Sequence, residues 1–378
     1  MRKVKTLGRR VGMILLFILS IPLRLMLQDL SGGYYNSLSE VLKATTPTLI
    51  PGAVDENIKV GNPVEIFPFV QANHTGEYIR WLRKGTTLED SVANIGIGGQ
   101  TVFSEAATFD AQTATLRIAY LFCKLDKYDN AIWQTVNDYE DAMAEGMMED
   151  VTKVLGKKII YDDYTYDPNS LQMDGLHAWA ATNHDTAWDI DAAGTALALE
   201  DLRILKDEMK HGIDFWLMPF AIARQIDRVY REMGIAAMMA TTAGALGLIT
   251  YATNSEGGRT TLFDNVPIVR TDYLVQEQEA TGHATNARAA YSSGDVVYSI
   301  FGIKQGQGLM TKGDPGVKVA FGKTESDGEF FNVEYFDRLE HYIGKAMRVA
   351  AYTQMIVGSK YAIGRIVDVP NTVPVAST

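Results

Sequence analysis

Gly322-Lys323-Thr324 is the nearest approach in this chain to a nucleotide-binding pattern, matching the closing residues of a phosphate-binding loop. That loop needs another glycine five residues earlier, so that successive backbone N–H groups can cradle phosphate oxygens. The residue there is Val317, and Gly316 stands one place out of register, so a turn is expected and not a cradle. Gly96-x-Gly98 and Gly306-x-Gly308 lack the third glycine of a dinucleotide fingerprint, at Thr101 and Thr311, and also read as turns. No Gly-x-Ser-x-Gly elbow is present to expose a serine nucleophile.

The six histidines are His74, His177, His184, His211, His283 and His341, and none forms the i, i+4 pair that puts two metal ligands on one helix face. His177 and His184 lie among Asp174, Asp185, Asp189 and Asp191, which could assemble a metal or acid–base site. The alternative is a polar loop in which Asp189 or Asp191 caps a helix, and this is the preferred reading. The single cysteine, Cys123, sits in the apolar run from Ile118 to Leu125 and reads as a buried, inert thiol. It excludes an intrachain disulfide framework. No catalytic residue, metal or cofactor is therefore expected.

Trp133, Trp179, Trp188 and Trp216 fall on or beside apolar runs and read as core. Trp81 differs, because it lies beside Arg80, Arg83 and Lys84 in a strand-like segment. An aromatic ring there is exposed unless a partner covers it, and aromatic residues with arginine are common interface anchors. Trp81, Arg83 and Lys84, with Phe67 and Phe69 upstream, are the candidate contacts between subunits. A stacking platform for nucleic acid is the sharper alternative.

The elements that must carry these residues follow from spacing. Leu38 to Val70 shows no sustained period and is broken by Pro47, Pro51, Pro63 and Pro68, so an extended arm is predicted. Its clusters Leu49-Ile50 and Ile66-Phe67-Pro68-Phe69-Val70 are too apolar for a free linker and should dock on a body, the chain's own or a neighbour's. Tyr78 to Arg83 and Thr101 to Leu116 read as the strands of a long hairpin around a glycine-bearing loop. A two-stranded ribbon is marginal alone, so it is expected to lie on a partner. Ile132, Val136, Tyr139, Met143, Met147, Val151 and Val154 recur at helical spacing, with Asp129 as the cap and Gly156 as the stop.

A second helix is expected over 192–211, with Leu199, Leu202, Leu205 and Met209 on one face. A third opens at Pro219 and shows Ile222, Ile226, Val229 and Met233 before Gly234. Strands are expected at Ile213 to Leu217, Pro267 to Arg270, Val296 to Ile303 and Val317 to Phe321, while Glu334 to Gly358 is ambiguous between helix and strand.

The 378 residues carry a net charge of −11, which excludes general electrostatic affinity for nucleic acid. A chain of this length is expected to form more than one packing unit. The positive charge is concentrated early: Arg2, Lys3, Lys5, Arg9, Arg10 and Arg24 precede the first acid, Asp29. The apolar run from Val11 to Leu23 behind those bases has the outline of a secretory signal, but no small-x-small cleavage site follows. It is also too short to span a bilayer. A packed or disordered leader, or a true start at Met26, is the preferred reading, ahead of a signal peptide or a lipid-surface helix.

The order of arm, hairpin, long helix, mixed domain and return resembles the major capsid proteins of tailed phages, the Hong Kong ninety-seven fold. Asp174-Gly175-Leu176 is similar to the turn that opens the axial domain in that family. Asp201-Leu202 through Lys210, then Asp214-Phe215-Trp216-Leu217-Met218, looks like its helix–strand pair, and Phe263-Asp264-Asn265-Val266-Pro267-Ile268-Val269 followed by Asp272 is similar to its turn-and-strand phrase. Arg348-Val349 through Ile366-Val367 resembles its closing strands.

The resemblance implies an α+β phage capsid fold with an N-terminal arm, an extended loop hairpin, a peripheral domain on a spine helix, and an axial domain. The corresponding boundaries are a leader at 1–25, the arm at 26–75, the hairpin at 76–115, the peripheral domain at 116–170 and 311–350, and the axial domain with closing strands at 171–310 and 351–378. It further implies a non-enzymatic subunit whose partner is itself, in hexamers and pentamers around packaged double-stranded DNA held without sequence-specific binding. Scaffolding, portal and decoration proteins are further implied partners, the virion capsid is the implied location, and assembly is placed in the host cytoplasm. An encapsulin-type compartment shell shares the fold and is the nearest alternative; an exported or membrane-attached hydrolase using the His177–Asp191 region is the second.

Overall fold

The computed structural model describes residues 58–72, 78–84, 97, 108–126, 139–163, 171–182, 188–238, 249–253, 259–278, 296–307, 313–322, 330–337 and 344–375. The leader, Leu49-Ile50, the tip of the hairpin, and Ile132 and Val136 lie outside the described residues. The chain divides into two compact units. The described parts of the first fall within Tyr120–Asp150 and Phe331–Ala350; the second comprises Asn57–Ala119, Val151–Phe330 and Ala351–Thr378.

In the second unit the arm makes a four-residue helix, α1 (Pro63–Ile66), and strand β1 (Phe69–Ala72). Asn62 starts α1 by accepting a hydrogen bond from the Val64 N–H, and Pro63 fits the first helical position because its missing donor would be unpaired there anyway. Phe67 and Val70 are buried, so this part of the arm docks on the chain's own body. The hairpin follows as β2 (Tyr78–Lys84) and β3 (Phe109–Thr115), and β4 (Arg117–Asp126) continues from it into the first unit.

The long helix α2 (Tyr139–Tyr161) also runs from the first unit into the second. Its buried positions are Ala144, Met147, Val151, Leu155 and Ile159, at helical spacing. Val154, expected on that stripe, is instead exposed, because the row of Met147 and Val151 continues through Leu155. Gly156 does not stop the helix. A Cβ there would lie 2.3 Å from Asn62 Oδ1 and 2.8 Å from Tyr273 Cε1, so the glycine lets the arm approach the helix backbone.

Helix α3 (Leu176–Thr182) opens after Gly175, whose Cβ would meet the α2 carbonyls of Ile159 and Lys158 at 2.8 and 2.9 Å. Next come β5 (Asp189–Asp191), α4 (Leu199–Glu208), β6 (Phe215–Pro219) and α5 (Phe220–Met238). The helix expected over 192–211 is shorter because Ala193 and Gly194 take positive φ in a turn, with the Asp191 carboxylate accepting from the Ala193 N–H. Pro219 is the last residue of β6, paired with Thr271, and the helix after it passes Gly234.

The remaining strands are β7 (Ile249–Thr253), β8 (Arg259–Phe263), β9 (Val266–Thr271), β10 (Glu277–Gln278), β11 (Val296–Ile303), β12 (Val317–Gly322), β13 (Phe331–Phe336), β14 (Gly344–Val357) and β15 (Ile363–Pro370). The segment ambiguous in sequence, Glu334 to Gly358, is thus strand where it is described, in the end of β13 and in β14. Asp264 and Asn265, both at positive φ, make the two-residue turn between β8 and β9, a geometry Asn and Asp tolerate.

An eight-stranded sheet runs β5-β15-β11-β6-β9-β8-β7, with β10 pairing β11. Strands β6 and β9 are parallel, and β11 is antiparallel to both β6 and β15. Every residue of β6 is buried because the sheet is covered on both faces. Trp216 and Met218 join a core with Leu199, Leu202, Leu205, Ile222 and Ile226 of α4 and α5, while Phe215 and Leu217 join another with Ile159, Ile160, Leu176 and Trp179 of α2 and α3. A further sheet pairs β1 parallel to β12 and β12 antiparallel to residues 353–357 of β14 within the second unit. In the first unit β13 and β4 both pair with β14.

Candidate functional site

Strands β2 and β3 pair in strict register, from Tyr78 opposite Thr115 to Lys84 opposite Phe109. Side chains alternate across such a ladder, so the two faces have separate roles. Ile79, Trp81 and Arg83 point one way. Ile79 is buried with Ala72, Ala320 and Ile356. Trp81 is half-buried against Trp179, ring centroids 6.0 Å apart. Arg83 donates from Nη2 to the Val357 carbonyl at 2.8 Å and from Nε to the Gly358 carbonyl at 3.1 Å. Its guanidinium also lies 5.9 Å from the Trp179 ring centroid. Burial lowers the Arg83 pKa from its ordinary value, partly opposed by Asp110, the residue opposite it in the ladder. An arginine remains charged across the physiological range nonetheless.

The other face carries Tyr78, Arg80, Leu82 and Lys84, with Phe109 opposite Lys84. Tyr78, Leu82 and Phe109 are 49%, 69% and 64% exposed. Arg80 and Lys84 are exposed with them, and Arg80 lies 6.0 Å from the Tyr78 ring centroid. This is a mixed apolar and basic face on a two-stranded ribbon.

The structure therefore divides the five candidate contact residues. Lys84 is on the exposed face. Trp81 and Arg83 are on the inner face, where the cover that Trp81 requires comes from Trp179 of the same chain. Phe67 is buried, 6.0 Å from Phe215, and Phe69 packs edge-on against Phe330 at 4.9 Å. Sequence reasoning missed Tyr78, Leu82 and Phe109. The signal for the first two was available: both share the parity of Arg80 and Lys84, opposite to that of Ile79, Trp81 and Arg83. In the first unit, Tyr120, Phe122 and Tyr335 are also exposed aromatics on β4 and β13.

Among the described residues the acid–histidine cluster does not come together as one open site. His177 is fully buried in a network with Arg365, Asp189, Glu277, Tyr161 and Ser299, so no substrate can reach it. Asp189 does not cap a helix but receives Arg365 bidentately, at 2.6 Å from Nε and 2.9 Å from Nη2. His184 and Asp185 lie outside the described residues. Among the described residues no group of three or more His, Cys, Asp or Glu side chains could hold a metal, and no helix is long and apolar enough to cross a membrane.

The order of elements is that of the Hong Kong ninety-seven-like capsid fold, and solved structures of that fold match the chain over about nine-tenths of its length. One is the holo-SrpI encapsulin complex from Synechococcus elongatus PCC 7942, at TM-score 0.60 and 11% identity, covering 89% of this chain and 96% of that one. Another is the capsid of the cyanophage P-SCSP1u, at TM-score 0.53 and 10% identity, covering 89% of this chain and 94% of that one. No family model and no curated protein sequence matches the chain.

Proposed function

We propose that this chain is a shell-building subunit, a phage major capsid protein that assembles with copies of itself into pentamers and hexamers around packaged double-stranded DNA. The observation that carries this reading is the exposed outer face of the β2–β3 hairpin, set in a fold whose solved examples include a phage capsid and an encapsulin. An exposed ribbon carrying Tyr78, Leu82 and Phe109 gains stability when a neighbouring subunit covers it, which links the stability of each subunit to assembly by mass action. Lys84 and Arg80 on the same face suit a neighbour whose body is acidic, as this chain's is. The role is structural and not enzymatic, the location is the virion capsid, and scaffolding, portal and decoration proteins are the expected further partners.

An encapsulin-type compartment is the second reading, favoured by the match to 96% of an encapsulin chain. Particles recovered from the native source with an antibody to this chain distinguish the two. Nuclease-resistant double-stranded DNA inside them is the expected result. A stoichiometric protein cargo without DNA would replace the capsid reading with the compartment reading, and the absence of any particle would remove both.

A further inference from the structure

The eight-stranded sheet changes partners along one strand, and a cleft opens at that point. Strand β11 pairs with β6 at Phe301–Ile303 and with β10 at Val296 and Val297, antiparallel in both cases. Strand β6 leaves the sheet after Pro219, which stands opposite Thr271 of the parallel strand β9, and the chain runs directly into α5. The carboxyl ends of parallel strands, beside such a change of order, are where open α/β sheets bind ligands. The cleft has a volume of about 510 Å³, which suits a small molecule. Every residue that lines it belongs to the second unit.

Three kinds of donor converge there. The first turn of α5 carries backbone N–H groups that have no partner within the helix. Phe220 and Ala221 of that turn line the cleft, the turn holds no acidic residue, and Pro219 before it has no side-chain oxygen to act as a cap. Tyr298 is the second donor. Continuing the register from Phe301 opposite Leu217 puts it level with Phe220, at the start of the helix. It lines the cleft, is 7% exposed, and its hydroxyl has no hydrogen-bond partner among the described residues. A buried hydroxyl without a partner costs free energy, which a ligand that accepts from it recovers. The third donor is Lys157 of α2, exposed on the cleft wall. One acid lines the cleft as well. Asp272 Oδ2 accepts from the Val60 N–H at 3.1 Å, and the Asp272 N–H donates to the Val60 carbonyl at 3.0 Å, so this residue is fastened to the arm. Phe220 and Val275, both half-buried, supply apolar wall.

We propose that this cleft binds a small molecule with an oxyanion head, phosphate or carboxylate, on an apolar body. The head accepts from the Ala221 N–H and the Tyr298 hydroxyl, with Lys157 balancing its charge, and the body lies against Phe220 and Val275. The dipole of α5 adds to the attraction for the anion. The site shares no residue with the hairpin, and neither it nor its test depends on whether the chain builds a shell.

Isothermal titration calorimetry of the full chain tests this with phenyl phosphate, benzoate and phenol, which share a ring and differ in the head. The expected result is saturable binding of phenyl phosphate or benzoate with a Kd of about 1 mM or tighter, and no binding of phenol. Phenyl phosphate alone identifies the head as phosphate, benzoate alone as carboxylate, and binding of both supports a site for either. Tyr298→Phe removes only the partnerless hydroxyl, so it should leave the urea midpoint unchanged and weaken anion binding about tenfold. Ala221→Asp gives the helix start a carboxylate of its own, which favours the helix and should abolish binding. If that variant does not fold, Tyr298→Phe decides. Absence of binding by both anions, phenol binding as well as they do, or an affinity unchanged in either folded variant would overturn the proposal.

Discussion

Replacing Gly156 by alanine sets two effects of opposite sign against each other at one position. Glycine inside a helix costs about 1 kcal/mol relative to alanine, so helix propensity alone makes Gly156→Ala stabilising by that amount. The structure argues the reverse. The new Cβ would stand 2.3 Å from Asn62 Oδ1, 3.1 Å from Asn62 Cγ and 2.8 Å from Tyr273 Cε1. Neither neighbour is a loose surface side chain, since Asn62 is 7% and Tyr273 2% exposed. Displacing Asn62 breaks the cap on the Val64 N–H, worth about 1 kcal/mol, and the Nδ2 bond to the Thr152 carbonyl, worth about 1 kcal/mol more. Forcing a methyl group into a packed site adds about 1–3 kcal/mol. Set against the propensity gain, the net expectation is a loss of about 2–4 kcal/mol. Urea unfolding measures it, and limited proteolysis should show earlier cleavage around residues 58–62 as the arm lifts. A variant stabilised by about 1 kcal/mol would refute the reasoning, because it would mean that the arm does not pack on this helix.

Three further outcomes are expected. Arg365→Met leaves the Asp189 carboxylate buried without its guanidinium and should cost about 3–5 kcal/mol, with Asp189→Leu added to it recovering more than half; thermal unfolding of both variants checks this. Asp314 is held below its ordinary pKa: burial raises it, but the N–H groups of Gly316 and Gln307 and the Lys318 ammonium together outweigh that effect. Its contribution is therefore present above the unfolded value of about 3.9 and lost as pH falls through the lower folded value, so Asp314→Asn should flatten the acid limb of stability below pH 4. A pH titration of the unfolding midpoint reads it, and an unchanged limb would contradict it. Leu82→Asp changes a side chain that is 69% exposed, so the unassembled subunit's stability should move by less than about 0.5 kcal/mol while particle yield, by size-exclusion chromatography, falls sharply.

How much of this was legible in the sequence depends on the range over which each feature is determined. Strand β11 and the buried face of α4 are local patterns, and Val296 to Ile303 and Leu199, Leu202, Leu205 and Met209 could be read directly. Gly156 looked like a helix stop because a glycine that admits a neighbouring segment and one that ends a helix have the same one-letter signal. What distinguishes them is Asn62, far away in the chain. Trp81 looked exposed for the same reason: its cover, Trp179, belongs to a helix beyond α2. The hairpin's existence was legible, but its exposed face was misjudged because the residues were weighed by type and not by parity. The buried network around His177 was beyond sequence reasoning, since its members at 161, 189, 277, 299 and 365 are collected only by the eight-stranded sheet and the helix ends packed on it.

The central claim is that this chain closes into a shell with copies of itself. Negative-stain electron microscopy of the purified full chain, alongside a version beginning at Met26, tests it most directly. The account predicts closed particles, or pentameric and hexameric rings, from at least one of the two. Monodisperse monomers from both, including in the presence of a crowding agent and a candidate scaffold protein, would contradict it.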